Sequence, residues 1–238
     1  MGTSSARRGP TTALWRAAKG AATRYLSPAA GGQVTARELM ARYLAALEET
    51  PGQGEPLAAW RFTRKVAQEL GAFWQAVQAR AWQAALADQG LAPLAQESPE
   101  MLAHGVSGVL AGTGGGLEEA VARTSLALVV RPALASEDKK APVHLVRRFL
   151  ATALYLRCAL DLGESLEAAA GGYGRLREGL ARLSALTEAD ASGVNASSEI
   201  PETSSHWQGL AGWTWVTECM TTLMTKLKQG RPAGSPLR

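Results

Sequence analysis

Residues 112–119, with the sequence GTGGGLEE, come closer to a phosphate-binding loop than any other stretch of this chain. Glycines before a helix expose backbone amides that can bind an anion. A dinucleotide-binding loop requires a third glycine where Leu117 stands, however, and the lysine and Ser/Thr of a P-loop are absent. Glu118 and Glu119 would also repel a phosphate at this helix end. We therefore interpret the tract as a flexible joint between two helices.

The histidines and acids are too widely spread to predict a metal or acid–base site. Glu100 and His104 lie four apart on a predicted helix, but two ligands are too few to hold a metal ion. His144 and His206 have no acid or nucleophile at a recognisable spacing. We therefore predict no catalytic, metal-binding or cofactor-binding residue, and we expect a non-enzymatic protein. An active site assembled from residues distant in sequence remains the alternative.

The two cysteines lie far apart, each in an apolar stretch with helical character. Cys158 occurs in ALYLRCALDL and Cys219 in WTWVTECMTTLM. Neither has a Cys or His at a metal-ligand spacing. We expect buried thiols in a reducing compartment rather than a disulfide.

The elements that must carry these residues are predicted to be helices. Alanine is abundant, and apolar residues recur at spacings of three and four, which is typical of amphipathic helices. Thr35 and Glu38 form a capping-box pattern, and Ser98-Pro99 begins another helix with a side-chain cap and a first-turn proline. We predict an all-α fold, an irregular bundle of about seven helices with a flexible basic N-terminal segment and a polar linker before the last helix.

Composition divides the chain into five predicted regions. Residues 188–206 contain four acids and no Lys or Arg, and they are rich in Ser, Gly, Asn and Pro, which is typical of a linker. The regions are a partly flexible basic segment (1–34), a helical core (35–187), an acidic polar linker (188–204), an amphipathic C-terminal helix (205–229) and a basic tail (230–238).

Positive charge is concentrated at the two ends of the chain. Residues 1–37 contain six basic side chains and no acidic one, whereas residues 38–206 contain 15 basic and 20 acidic residues. Basic segments of this kind can contact phosphates, with a salt-dependent affinity. The candidate contacts with nucleic acid or another anionic partner are Arg7, Arg8, Arg16, Lys19, Arg24, Lys226, Lys228 and Arg231.

These patterns favour a non-enzymatic helical subunit or accessory protein of a larger assembly, with protein partners and with nucleic acid as a candidate ligand. One alternative is an adaptor or chaperone that docks through Trp213, Met220 and Met224 of the last helix. Another is an organellar protein whose residues 1–30, rich in Arg, Ser and Thr, form a transit peptide. We expect no transmembrane segment and a cytoplasmic location, or an organellar matrix if residues 1–30 are a transit peptide.

Overall fold

The computed structural model describes residues 12–27, 34–49, 57–80, 82–136 and 140–229. Over these residues the chain forms eleven α-helices, two short 3-10 turns and no β-strand, which confirms the all-α class. The helices are α1 (Ala13–Leu26), α2 (Ala36–Glu48), α3 (Arg61–Arg80), α4 (Trp82–Asp88), α5 (Pro99–Ala111), α6 (Leu117–Ala135), α7 (Pro142–Asp161), α8 (Gly163–Ala170), α9 (Tyr173–Ser192), α10 (Ser204–Gln208) and α11 (Leu210–Gln229).

The chain divides into two compact units. Unit 1 contains the described residues before Leu57, together with Cys158–Leu186 and residues 226–229. Unit 2 contains Leu57–Arg157 and Thr187–Thr225. The predicted tail 230–238 lies outside the described residues, and so do Arg7 and Arg8.

The estimate of about seven helices is too low because long helical patterns are interrupted. The predicted helix 142–167 breaks at Leu162, which leaves α7 and then α8. The predicted helix 205–228 breaks at Gly209, whose backbone is extended. Gln68 stabilises this second break, since its side-chain amide donates to the carbonyls of Trp207 and Gly209 at 2.9 Å each. Breaks of this kind depend on partners distant in sequence.

Two helices extend beyond their predicted ends. We expected Arg131-Pro132 to end α6, but α6 continues to Ala135. Proline removes the hydrogen bond to the carbonyl four residues earlier, and that residue, Leu128, is 49% exposed, so water can hydrate the carbonyl. Helix α9 runs through Ser192 into the predicted linker, because Thr187 and Ala191 form a buried stripe on it.

In unit 1, α1 packs against α2 and α8. Its N-cap is Thr12, and Trp15 forms an edge-to-face contact with Tyr43 at a centroid distance of 6.0 Å. Tyr43 donates to Asp161 Oδ2 at 2.9 Å. The buried side of α1 consists of Trp15, Ala18, Ala21, Ala22, Tyr25 and Leu26.

The burial of α1 bears on the predicted segment 1–34, which stays a prediction. We expected residues 1–34 to be a docking segment that could be removed without unfolding the rest of the chain. Because α1 supplies two buried aromatic side chains, Trp15 and Tyr25, its removal would expose the apolar surfaces that it covers. Cleavage of residues 1–30 as a transit peptide stays a prediction.

In unit 2, Trp207 fixes α10 against α3. The Trp207 side chain is fully buried and lies directly on Gly71, where a Cβ atom would come within 2.2 Å of Trp207 Cε3. The Trp207 and Trp215 rings meet edge to face at 5.3 Å. Glycine at position 71 therefore allows the close approach of an indole ring.

The segment after α9 is held against α11 by one carboxylate. Glu218 accepts hydrogen bonds from the Ser197 amide at 2.9 Å, the Ser197 hydroxyl at 3.0 Å and the Ser198 amide at 2.9 Å. These bonds, with that of the Ser198 amide as the largest cause, lower the pKa of Glu218. Val194 and Pro201 are buried on either side. The predicted linker therefore has specific contacts with unit 2.

Among the described helices, none combines the length and the apolar character that a membrane span requires.

Candidate functional site

Helix α1 presents a row of positive charge on the side opposite its buried face. Arg16 and Arg24 are exposed and Lys19 is half-buried. None of the three forms an ion pair with a described residue. Eight residues separate Arg16 from Arg24, which corresponds to about 12 Å along the helix axis. The structure thus places three of the predicted contact residues on one accessible surface.

Helix α9 adds positive charge beside the C-terminal end of α1. Tyr25 donates to the Gly179 carbonyl at 2.9 Å, and the Arg182 guanidinium lies 5.5 Å from the Tyr25 ring centroid. Burial raises the pKa of Tyr25, and the hydrogen bond from Arg182 opposes that effect. We use the name α1–α9 basic face for the cations of these two helices in unit 1, which are Arg16, Lys19 and Arg24 on α1 and Arg175, Arg177 and Arg182 on α9.

Part of the charge on the basic face is already compensated. Arg182 donates to Glu178 at 2.8 Å, and Arg175 donates to the Ala170 carbonyl at 3.2 Å. Arg177 is exposed. The α1 cations therefore have fewer partners within the described residues than the α9 cations have.

The predicted contacts at the C-terminal end are differently placed. Lys228 forms a salt bridge with Glu48, and the backbone carbonyl of Lys226 accepts from Arg37 at 3.0 Å. These bonds connect the end of α11 to α2 within unit 1. Arg231, like Arg7 and Arg8, lies outside the described residues.

Unit 2 contains a second basic feature, a cavity of about 450 Å³. Its polar and charged lining includes Lys140, His144, Arg147, Arg148 and Glu188. Its apolar lining consists of Trp74, Pro132, Ala133, Leu145 and Ala191, and two serines, Ser136 and Ser192, complete the wall. We call this space the α7 cavity, because the first two turns of α7 supply most of its charge.

Two hydrogen bonds hold the backbone at the edge of the α7 cavity. Trp74 Nε1 and Gln78 Nε2 donate to the Lys140 carbonyl at 2.9 Å and 3.0 Å. Both donors lie on α3, so the backbone just before α7 is attached to α3.

The arginines of the α7 cavity differ in their partners. Arg148 lies 3.6 Å from Glu188, with both side chains about half exposed. Arg147 lies over the Trp215 ring, 5.7 Å from its centroid, and its buried Nε has no acceptor among the described residues. Burial raises the pKa of the neighbouring Cys219 thiol to about 12, although Arg147 opposes this shift.

The glycine tract joins α5 to α6, as predicted, and nearby backbone amides donate hydrogen bonds to carboxylates. Glu119 accepts from the Gly116 amide at 2.8 Å. Glu118 accepts from the Thr63 amide in the first turn of α3, also at 2.8 Å. Burial raises the pKa of Glu118, and the Thr63 hydrogen bonds partly offset that effect. Both helix ends are thus capped by side chains of this protein.

The predicted protein-docking residues do not form one exposed patch. Met220 and Met224 are buried, so the surface on which the adaptor hypothesis depended is absent. Trp213 is half-exposed and lines a shallow groove with Arg61, while the Arg64 guanidinium lies 4.4 Å from its ring centroid.

The remaining sequence candidates fall at separate places. Glu100 and His104 are exposed on α5, and Glu100 lies 3.7 Å from Arg131. Within the described ranges, no three His, Cys, Asp or Glu side chains converge on a possible metal position. Cys158 and Cys219 are free, buried thiols, as predicted, and burial raises the pKa of Cys158 as well.

Sequence reasoning missed the α7 cavity although a signal was present. Lys140, His144, Arg147 and Arg148 lie within nine residues, and the last three are spaced to meet on one side of a helix. We considered His144 only as a catalytic candidate. The contacts predicted from the sequence lie only at the chain ends, so the arginines of α9 were not among them.

The fold and these surfaces define an all-α protein in which accessible cations, on α1 and α9 and around the α7 cavity, form the candidate functional sites. The family described as Qat anti-phage system associated protein QatB matches residues 52–188. This match covers more than half of the chain, and the chain therefore belongs to that family. No curated protein and no solved structure matches the chain. The match includes most residues that line the α7 cavity and excludes α1.

Proposed function

We propose that this chain is a non-enzymatic helical component of an anti-phage system and that it contacts nucleic acid through the α1–α9 basic face. The family description names such a system, so we also expect protein partners. The observation that carries the nucleic-acid proposal is the row Arg16, Lys19 and Arg24, which is accessible and unpaired with described acids.

The geometry of this face suits a polymer of phosphates better than a single small anion. Three cations lie along about 12 Å of helix, rather than around one point. Arg177 of α9 is exposed in the same unit and adds a further cation. Each cation that neutralises a phosphate releases a counterion and makes the affinity more dependent on salt.

The test is filter binding of single-stranded DNA, duplex DNA and RNA over a salt series from about 50 to 200 mM. The triple variant Arg16→Gln/Lys19→Gln/Arg24→Gln should reduce the slope of log affinity against log salt by about 2–3, because three phosphate contacts are lost. Its circular dichroism spectrum should match that of the wild type, since the changed side chains lie on the open side of α1.

The matched control changes three exposed cations of unit 2, in the variant Arg61→Gln/Lys65→Gln/Arg131→Gln. It removes the same net charge and should leave the salt slope close to that of the wild type. Absent or salt-independent binding by the wild type, or an equal loss of slope in both triple variants, would contradict the proposed nucleic-acid contact.

A further inference from the structure

We infer that the α7 cavity is a binding site for a phosphomonoester carried on an organic group of up to nucleotide size. This site lies within unit 2, and the inference does not depend on nucleic-acid binding by the α1–α9 basic face. Its volume of about 450 Å³ falls within the range of small-molecule sites in proteins.

The charged side chains that line this cavity favour an anionic ligand. Among the described residues, Lys140, Arg147 and Arg148 line it together with one acid, Glu188. The imidazole of His144, also in the lining, adds a hydrogen-bonding group. These side chains surround the N-terminal turns of α7, where the helix dipole also favours negative charge. Guanidinium and ammonium groups are the side chains that most often bind phosphate oxygens.

Arg147 provides a second reason to expect a ligand acceptor. An arginine that is partly buried is normally bonded to a carboxylate or to carbonyl oxygens. Arg147 instead contacts the Trp215 ring and the Cys219 sulfur, and its Nε has no acceptor among the described residues. Because Arg147 also lines the cavity, other nitrogens of its guanidinium can donate to a phosphate oxygen there.

The remaining lining suits an organic body attached to that phosphate. Trp74, Pro132, Ala133, Leu145 and Ala191 provide apolar surface, which an inorganic anion would leave unfilled. Glu188 can accept hydrogen bonds from amino or hydroxyl groups of the same ligand. The Lys140 carbonyl accepts from Trp74 and Gln78, so the backbone beside the charged wall is attached to α3.

Calorimetric titration of the full-length protein tests the inference. The probes are adenosine 5′-monophosphate, adenosine and inorganic phosphate, with 5′-phosphorylated and 5′-hydroxyl single-stranded oligonucleotides as a second pair. We expect adenosine monophosphate to bind more tightly than phosphate, and adenosine not to bind. A phosphorylated oligonucleotide that binds while the mononucleotide does not would assign the same phosphomonoester site to strand ends.

Two kinds of variant connect binding to the cavity. Lys140→Gln and Arg148→Gln should each weaken binding about tenfold, through the loss of a charge-assisted contact. Ala133→Phe leaves the charge unchanged but fills the cavity, and it should abolish binding. Arg61→Gln is the control, because Arg61 is exposed on α3 about 20 Å along the helix axis from Trp74.

The inference fails if no phosphorylated probe binds. It also fails if adenosine binds as well as its monophosphate, or if the cavity variants bind like the Arg61 control. Since these variants leave α1 unchanged, they should retain any salt-dependent affinity for long nucleic acids. The two proposals can therefore fail separately.

Discussion

The close contact between α3 and Trp207 predicts a large effect from the smallest possible substitution, Gly71→Ala. The added Cβ would lie 2.2 Å from Trp207 Cε3, whereas carbon atoms in contact are separated by about 3.5–4.0 Å. The Trp207 ring or α3 must therefore move by more than about 1 Å. The ring has no free space, since it is fully buried against Trp215.

Two opposing effects set the change in the free energy of unfolding that Gly71→Ala causes. Alanine in a helix interior is favoured over glycine by about 1 kcal/mol. Overpacking costs about 1–3 kcal/mol, and complete loss of a buried tryptophan contact costs about 3–5 kcal/mol. We place the cost of this clash near the upper end of the overpacking range. We expect Gly71→Ala to lower the free energy of unfolding by about 2 kcal/mol, or the melting temperature by roughly 4–8 °C.

Gly108→Ala is the matched control. Gly108 is also helical, on α5 in the same unit, and a Cβ there would meet no atom within 4 Å. This variant should be unchanged or more stable by up to about 1 kcal/mol. Thermal and urea unfolding, followed by circular dichroism, measures both variants.

A double-mutant cycle isolates the clash. Trp207→Leu removes the ring that the new methyl group meets, so Gly71→Ala should cost much less in that background. The reasoning is refuted if Gly71→Ala melts at or above Gly108→Ala, or if the effects of Gly71→Ala and Trp207→Leu are additive.

Two further predictions concern titrating side chains. The lowered pKa of Glu218 means that its stabilising bonds are complete above the ordinary pKa of a glutamate and are lost as the pH falls through the lower folded value. Relative to wild type, Glu218→Ala should speed amide exchange at Ser197 and Ser198 above that range, and the difference should vanish in acid; equal exchange throughout would contradict the assigned bonds. The raised pKa values of Cys158 and Cys219 predict that neither thiol reacts with iodoacetamide at pH 8 in the native protein and that both react in urea. Mass spectrometry counts the labels, and rapid labelling of either native thiol would contradict its burial.

Local signals in the sequence predict helix beginnings well. Thr35 and Ser98 cap helices as expected, because each accepts a bond from an amide three residues later. Such a bond needs no partner from elsewhere in the chain. The predicted burial of both cysteines was correct for a similar reason, since each lies within a local apolar stretch.

Features that depend on distant partners were missed. The break at Gly209 requires Gln68, which lies 141 residues earlier in the chain. The acidic composition of residues 188–192 suggested a linker, but the spacing of Thr187, Ala191 and Val194 continues a buried stripe. The α7 cavity also escaped prediction, because Trp74 and Lys140 meet only in the folded chain.

The make-up of unit 1 has a consequence for synthesis on the ribosome. Its helices α1 and α2 are made before the rest of unit 1. The hydrogen bond from Tyr25 cannot form until Gly179 has been made, and that from Arg37 requires the Lys226 carbonyl 189 residues later. Contacts so far apart in sequence form slowly, because a long loop must close before they can stabilise the fold. The part of α1 that α8 and α9 cover therefore stays uncovered until those helices have been made, and unit 1 is completed only when the end of α11 has been made.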